Sequence, residues 1–427
     1  MDYIYTSYKI VDSIVRNGAF SSIELNNALK LTPNDDKSKV TRIVYGVLDN
    51  SIKYDYIIKN LCAKKPKGSI VSLLKVALYL LYEMSSVPDY ATINNCVKIA
   101  KKVSKGALGG FVNSTLRAAV DYQLVLPTDK MEGMSIEFST PKLIVEMLVK
   151  EYGEDLTRCM LTKVESNSAN VRINLRKTTM DEFKSMLTDA EIEFKDGILP
   201  NCLIINLAKL INSKLDNTLF TVQALASVLA CELLDVKIDS EILDTCAAPG
   251  GKSVYMAEIA RNGQVTACDI IAHRLVLIRK YAERMGATNV ASLELDGVKF
   301  DESLVEKFDR VLCDAPCSGV GAQGSKPDIV FSFSQKKLDE LSELQFQILN
   351  NSAKYLKKGG EMIYSTCTMF DKENSEVVER FLKNNSDFEE MKIDNLKVEF
   401  FKKQHGIQLL PNISDTIGFY VAKLRKI

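Results

Sequence analysis

The sequence predicts a multidomain chain in three parts: an all-α bundle over residues 1–125, a linker and small α+β subdomain over 126–235, and a C-terminal α/β domain over 236–427. Three observations predict it. At 427 residues the chain is too long for one ordinary core. Residues 1–125 place apolar side chains at helical spacing, without the alternation of strands. From residue 236 short apolar runs alternate with amphipathic segments, the rhythm of a doubly wound, mostly parallel sheet.

In the first part, Val71–Tyr82 is apolar on nearly every side and reads as a central buried helix. Amphipathic helices are expected near 5–17, 21–30, 36–50, 52–62, 89–103 and 109–121, punctuated by Pro66, Gly68 and Pro88. Pro127, Gly133 and Pro141 break the pattern, so 122–140 reads as a linker. Helices are then expected at 141–152, 154–164 and 179–188, and strands at 169–175 and 203–207. In the C-terminal part strands are expected at 241–246, 264–269, 290–295, 308–314, 360–366 and 417–424. Helices are expected at 250–261, 272–285, 335–356 and 373–384.

Composition excludes several classes of protein. Hydrophobic content of 46% with 26% charged residues is that of a globular protein. No window approaches the ~18 uninterrupted apolar residues of a membrane span. Met1-Asp2-Tyr3-Ile4-Tyr5 lacks a basic leader ahead of an apolar core, so a cytoplasmic location is expected. The 10 cysteines include no Cys-x-x-Cys pair, and His273 and His405 are the only histidines. A zinc site, a disulfide framework and histidine-centred catalysis are therefore not expected, and no metal is called for. Net charge is zero, but residues 1–125 carry 17 Lys+Arg against 10 Asp+Glu. Lysines cluster at Lys64, Lys65 and Lys67, and at Lys98, Lys101, Lys102 and Lys105, the second set at helical spacing. A polyanionic partner and a simply solvated surface are the two readings of that face.

The chemistry lies at the ends of the expected C-terminal strands, where ligands bind in open α/β sheets. After Leu243-Asp244-Thr245 comes a loop of small residues, Cys246, Ala247, Ala248, Pro249, Gly250, Gly251 and Lys252. Its small side chains let backbone approach a ligand at a helix N-terminus. A P-loop would need Gly where Cys246 stands, so a nucleoside triphosphate is disfavoured. Asp269 closes the second strand, placed to accept both ribose hydroxyls. Asp296 follows the third, placed to accept from an exocyclic amine. Asp314 closes the fourth. Each Asp alone is more readily a helix cap, but three in succession suit a nucleoside cofactor without phosphates. His273 opens the following helix as a surface residue, and Arg274 is placed beside the cofactor. Two thiols complete the set: Cys317 in Asp-Ala-Pro-Cys and Cys367 in Ser-Thr-Cys-Thr, each just beyond a strand. A thiolate can add to carbon 6 of a pyrimidine, and either thiol can be the attacker. The remaining thiols, Cys62, Cys96, Cys159, Cys202, Cys231, Cys268 and Cys313, read as inert buried groups.

Cys-Ala-Ala-Pro-Gly-Gly-Lys at 246–252, Asp-Ala-Pro-Cys at 314–317, Lys-Pro-Asp-Ile at 326–329 and Ser-Thr-Cys-Thr at 365–368 together resemble the RNA cytosine-C5 methyltransferases. Val44-Tyr45-Gly46-Val47-Leu48, Ala91-Thr92-Ile93-Asn94-Asn95 and Phe111-Val112-Asn113 resemble the NusB-type RNA-binding bundle. The two modules in this order resemble the RsmB (Sun/Fmu) subgroup, which modifies small-subunit ribosomal RNA. The resemblance implies a Rossmann-like catalytic domain, S-adenosyl-L-methionine as cofactor and 16S rRNA as substrate; a monomer with no membrane or metal partner is expected. It implies that 246–252 hold the cofactor, with Asp269 on its ribose and Asp296 on its adenine. Asp314 would lie near the methionine moiety and the cytosine, Cys367 would attack, and Cys317 would assist release. The same chemistry on transfer RNA and a non-catalytic assembly factor are the competing readings. The chain departs from the family pattern at Ala224, at Gln323-Gly324-Ser325, at Val330 and Phe331, and at Ile417. All lie outside the chemical core and bear on RNA contact.

Overall fold

A computed structural model describes residues 3–19, 21–64, 66–164 and 167–427. The expected lysine at 65 and the first two residues, Met1 and Asp2, lie outside that range. Two compact units divide the chain: Met1–Leu161 with Gln323–Ser332, and Thr162–Ala322 with Phe333–Ile427.

The first unit is helical: α1 Tyr3–Asn17, α2 Ser21–Leu29, α3 Asn34–Asp49, α4 Ser51–Leu61, α5 Gly68–Glu83, α6 Asp89–Val103, α7 Gly109–Val120, α8 Lys130–Glu137, α9 Lys142–Tyr152 and α10 Glu154–Leu161. Helix α5 is the central one, with Leu73, Leu74, Val76, Ala77, Leu78 and Leu80 all buried. Of its two charged residues, Glu83 is exposed, whereas Lys75 is buried and donates to Ser51 Oγ (2.6 Å) and Asp55 Oδ2 (2.7 Å). Burial opposes the Lys75 charge and lowers its pKa, with Asp55 partly offsetting this. Gly46 on α3 meets α5 at close range: a Cβ there would overlap the Tyr79 ring. Lys64, Lys67, Lys98, Lys101, Lys102 and Lys105 are exposed.

The expected linker at 122–140 contains a helix. Asp129 caps α8 by accepting from the Glu132 N–H at 2.7 Å, and Met134 and Ile136 are buried beneath it. Ser139 Oγ accepts from Ile52 N–H at 2.9 Å, joining this turn to α4. Helices α8–α10 thus pack within the helical unit, which runs to Leu161. Gln323–Ser332 belongs there too: Asp328 Oδ1 accepts from Ser21 Oγ at 2.8 Å and its Oδ2 from Ser21 N–H at 3.1 Å. Val330 is buried and Phe331 is exposed.

The second unit opens with a four-stranded antiparallel sheet in the order β2-β3-β1-β4. Its elements are β1 Ser168–Ile173, α11 Met180–Asp189, β2 Phe194–Asp196, β3 Cys202–Asn206, α12 Leu207–Ile211, β4 Phe220–Val222 and α13 Leu225–Leu233. β2, β4, α12 and α13 were not expected. Thr179 and Glu182 form a reciprocal capping box at α11. Ala224 precedes α13 without a side-chain cap, and Thr416 Oγ1 instead accepts from Ala226 N–H at 3.1 Å.

The main sheet follows: β5 Glu241–Asp244, α14 Gly251–Ile259, β6 Gln264–Asp269, α15 Ala272–Met285, β7 Val290–Glu294, β8 Phe308–Asp314, α16 Gln335–Lys354, β9 Leu356–Thr366, α17 Ser375–Asn384, β10 Phe388–Met391, β11 Phe401–Lys402, β12 Ile407–Leu409 and β13 Phe419–Lys426. The order is β11-β12-β13-β9-β8-β5-β6-β7, with β10 also on β13. β5 to β9 are parallel, whereas β10 to β13 join antiparallel. β10, β11 and β12, of four, two and three residues, are too short to show in the sequence. Register places Asp314 opposite Ser365, so both thiol-bearing loops leave the same edge of the sheet.

Candidate active site

The loop after β5 packs down rather than out. Ala247 N–H donates to Cys268 O at 2.7 Å, and Ala247 lies in a cluster with Ala267, Leu275 and Ile278. Gly250 adopts φ +109°, the left-handed region open to glycine, and a Cβ there would press on the Ile278 backbone. Helix α14 begins at the next residue, so its first N–H groups face the strand ends. Cys246 turns its thiol onto the cluster containing Leu243 and Cys313, where burial pushes its pKa up.

Lys252, expected as part of the loop backbone, has a more specific place. Its Nζ lies 2.7 Å from Asp314 Oδ2, while Ser365 Oγ donates to Asp314 Oδ1 at 2.7 Å. Burial works against the ammonium, but the charge and hydrogen bond of Asp314, with Cys231 and Asp244, together outweigh it and hold the Lys252 pKa above its ordinary value. Asp314 is thereby fixed between β9 and α14.

Asp269 is buried, accepts from Ile271 N–H at 2.9 Å through Oδ1, and faces Arg274 at 3.7 Å through Oδ2. Arg274 is half exposed and touches the candidate cofactor region through this carboxylate. Asp296 accepts from Val298 N–H at 3.2 Å and stands 3.5 Å from Lys299. Both aspartates therefore keep a turn in shape with one oxygen and leave the other to a solvated cation.

Cys317 and Cys367 come together, with their sulfurs 3.3 Å apart. Disulfide bonding would need ~2.05 Å, so these are two thiols in contact. The neighbouring Cys367, then burial, then Glu373 and Asp314 push the Cys317 pKa well up. Of the other thiols, Cys96, Cys202, Cys231, Cys268 and Cys313 are buried, Cys62 is partly buried, and Cys159 is on the surface, contrary to expectation. Burial takes Cys313 up to about 12.

Sequence reasoning passed over Asp244. It is buried at the end of β5, accepts from Ser253 Oγ at 2.6 Å through Oδ2, and its Oδ1 has no partner among the described residues. Its position beside the loop was the available signal. Burial, opposed by the Ser253 hydrogen bond, raises its pKa to about 7. The folded state therefore binds a proton between pH ~4 and ~7 that the unfolded state does not, and this contribution to stability is lost as pH rises through that window. Asp244→Asn in the cofactor-free protein is expected to melt about 4 °C above wild type at pH 8 and by less at pH 5, read by thermal scans. An equal difference at both pH values would contradict the assignment.

A doubly wound sheet, a small-residue loop opening α14, carboxylates at successive strand ends and a thiol pair beyond the next two define a Rossmann-like, nucleoside-cofactor methyltransferase. Residues 231–425 match the family described as 16S rRNA methyltransferase RsmB/F, and residues 7–121 match the NusB family. A probable ribosomal RNA small subunit methyltransferase B of Bacillus subtilis is 33% identical, with 96% of each chain covered. Its counterpart in Shewanella oneidensis is 28% identical, covering 98% of this chain and 97% of that one. The chain belongs to the RsmB/F family of 16S rRNA methyltransferases, with an N-terminal NusB domain and S-adenosyl-L-methionine as cofactor. The fold agrees: a crystal structure of PH0851 superposes with TM-score 0.84 at 24% identity, covering 99% of this chain and 98% of that one. A methyltransferase homolog from Pyrococcus horikoshii gives 0.60 at 24% identity, covering 70% of this chain and all of that one.

Proposed function

We propose that the protein methylates carbon 5 of a cytosine in 16S rRNA through a covalent adduct between Cys367 and carbon 6. The observation that carries this is the 3.3 Å contact of two thiols beside an anchored carboxylate. One thiol alone would suffice for nucleophilic attack; a second in contact has a use where the enzyme must also be released.

The residues present fit a nucleoside cofactor without phosphates. Carboxylates at the strand ends accept from hydroxyls and amines and repel phosphate, and Asp244 Oδ1 is a buried acceptor with no partner among the described residues. Cys246 to Lys252 would hold the donor by backbone, with Asp269 at the ribose, Asp296 at the adenine and Arg274 at the rim beside Asp269. The donor supplies an electrophilic sulfonium methyl.

The protein supplies the rest. Cys367 as thiolate forms a bond to carbon 6, and the displaced π electrons make carbon 5 nucleophilic. Asp314, held by Lys252 and Ser365, steadies the cytosine edge. Once carbon 5 carries the methyl group, its proton passes to water, the double bond re-forms, and the bond to Cys367 breaks. The sulfur leaves as a thiolate, to which the Cys317 S–H donates. The base must be unpaired or flipped out of its stack, a cost lowered in a single-stranded loop. The exposed lysines of α6 are proposed as the phosphate-facing surface of the bundle. The proposed organisation is 1–125 for RNA binding, 126–235 as linker and small subdomain, and 236–427 for catalysis, in a cytoplasmic monomer that needs no metal. No helix among the described residues is long and apolar enough to cross a membrane.

The test is transfer of labelled methyl from S-adenosylmethionine to unmodified 16S rRNA, followed by mapping of 5-methylcytosine. Label at a single cytosine is expected. Label on transfer RNA only would move the substrate, and label on another atom would overturn the chemistry.

A further inference from the structure

The two thiol loops are irregular, and something must fix the distance between them. Two consecutive residues ahead of α17, Glu373 and Asn374, are both fully buried. Glu373 takes the Cys317 loop: Oε1 accepts from Ser318 N–H at 2.8 Å, and Oε2 accepts from Ser318 Oγ at 2.5 Å. Gln345 Nε2 on α16 donates both to Glu373 Oε1 at 2.9 Å and to Pro316 O at 2.9 Å, bracing the same loop. Asn374 takes the Cys367 loop: Oδ1 accepts from Thr366 Oγ1 at 2.5 Å, and Nδ2 donates to Thr368 O at 3.3 Å. A hydroxyl contact joins the two grips, Ser318 Oγ to Thr368 Oγ1 at 2.8 Å. The residues held are the immediate neighbours of the two cysteines.

Hydrogen bonding alone does not require a carboxylate at 373, since an amide could accept from Ser318 N–H and Gln345. Burying a charge is costly, and here three donors, from Ser318 and Gln345, satisfy it. A charge kept at that cost, next to the loop of a thiol, has an electrostatic consequence for that thiol. The groups facing Cys317 are Cys367 from the loop after β9, Asp314 from the end of β8, Tyr364 within β9 and Glu373 itself; from α16 comes only neutral Gln345. The nearby cation, Lys252 of α14, is engaged by Asp314.

We propose that Glu373 and Asn374 form a clamp that sets the Cys317–Cys367 spacing, and that the Glu373 charge reserves the thiolate for Cys367 by keeping Cys317 protonated. Both are positioning residues, and the inference rests on the two-thiol reading above.

The test uses full-length protein and iodoacetamide, with alkylation of each cysteine followed by peptide mass against pH. Glu373→Gln preserves shape and removes charge. It is expected to bind S-adenosylmethionine within about twofold of wild type and to alkylate Cys317 about tenfold faster at pH 8. Its kcat for rRNA should fall while KM for rRNA stays unchanged. Ser318→Ala loosens the grip but keeps the charge, so its Cys317 alkylation should shift by much less than in Glu373→Gln. An unshifted Cys317 profile in Glu373→Gln, or an equal shift in Ser318→Ala, would overturn the role of the charge. Alkylation needs no RNA, so wild type that fails to methylate rRNA would defeat the two-thiol reading while the alkylation result still decides the electrostatic claim.

Discussion

Cys367→Ala is expected to lower methyl transfer to 16S rRNA at least about 1000-fold while leaving S-adenosylmethionine binding intact. The size follows from the reaction. Carbon 5 of an aromatic pyrimidine is a poor nucleophile, and only addition at carbon 6 frees its electrons, so without the sulfur there is no alternative route of comparable barrier. Cofactor affinity should hold because the elements proposed to grip the donor, Cys246 to Lys252, Asp269 and Asp296, lie at the ends of β5, β6 and β7, whereas Cys367 follows β9. The two measurements are single-turnover transfer of labelled methyl and calorimetric titration with the donor. Retention of transfer within tenfold would assign the attack to the other thiol or to another mechanism.

Cys317→Ala is expected to do something different: to accumulate protein covalently joined to RNA. Attack by Cys367 and methyl transfer do not use the Cys317 proton, whereas departure of the sulfur as a thiolate is eased by a donor at 3.3 Å. Removing that donor slows the last step selectively. A band of protein–RNA adduct resistant to denaturant, containing methylated RNA, is the expected result. It should be absent from the Cys317→Ala, Cys367→Ala double variant. Failure of the single variant to accumulate adduct while losing turnover would place Cys317 before attack instead.

The site was legible in the sequence to the extent that strand ends were. Each of Asp244, Asp269 and Asp314 closes a strand, and hydrophobic runs announce where strands stop. The two cysteines stand in motifs that follow such runs, so their pairing followed from sheet topology alone. The cluster around them was not legible, because its members serve local structure when read along the chain. Lys252 looked like the end of a glycine loop, and Glu373 like the first turn of an amphipathic helix. The structure starts α17 two residues later, at Ser375, because Glu373 and Asn374 turn their side chains to the thiol loops instead. Similarly, 122–140 read as linker because two prolines and a glycine hid the Asp129-x-x-Glu132 cap that starts α8.

The sequence by itself determined the helices of the N-terminal bundle, the parallel core of the main sheet, the small-residue loop opening α14 and the two thiols beyond β8 and β9. These depend on periodicity, chain punctuation and local motifs, which are properties of neighbouring residues. Tertiary structure alone decided that Lys252 pairs with Asp314, that β10 to β12 complete the sheet, and that Glu373 grips Ser318 across 55 positions of chain. The physical reason is that a buried charge or a short polar strand is stable only with its distant partners in place, and no local pattern records who those partners are.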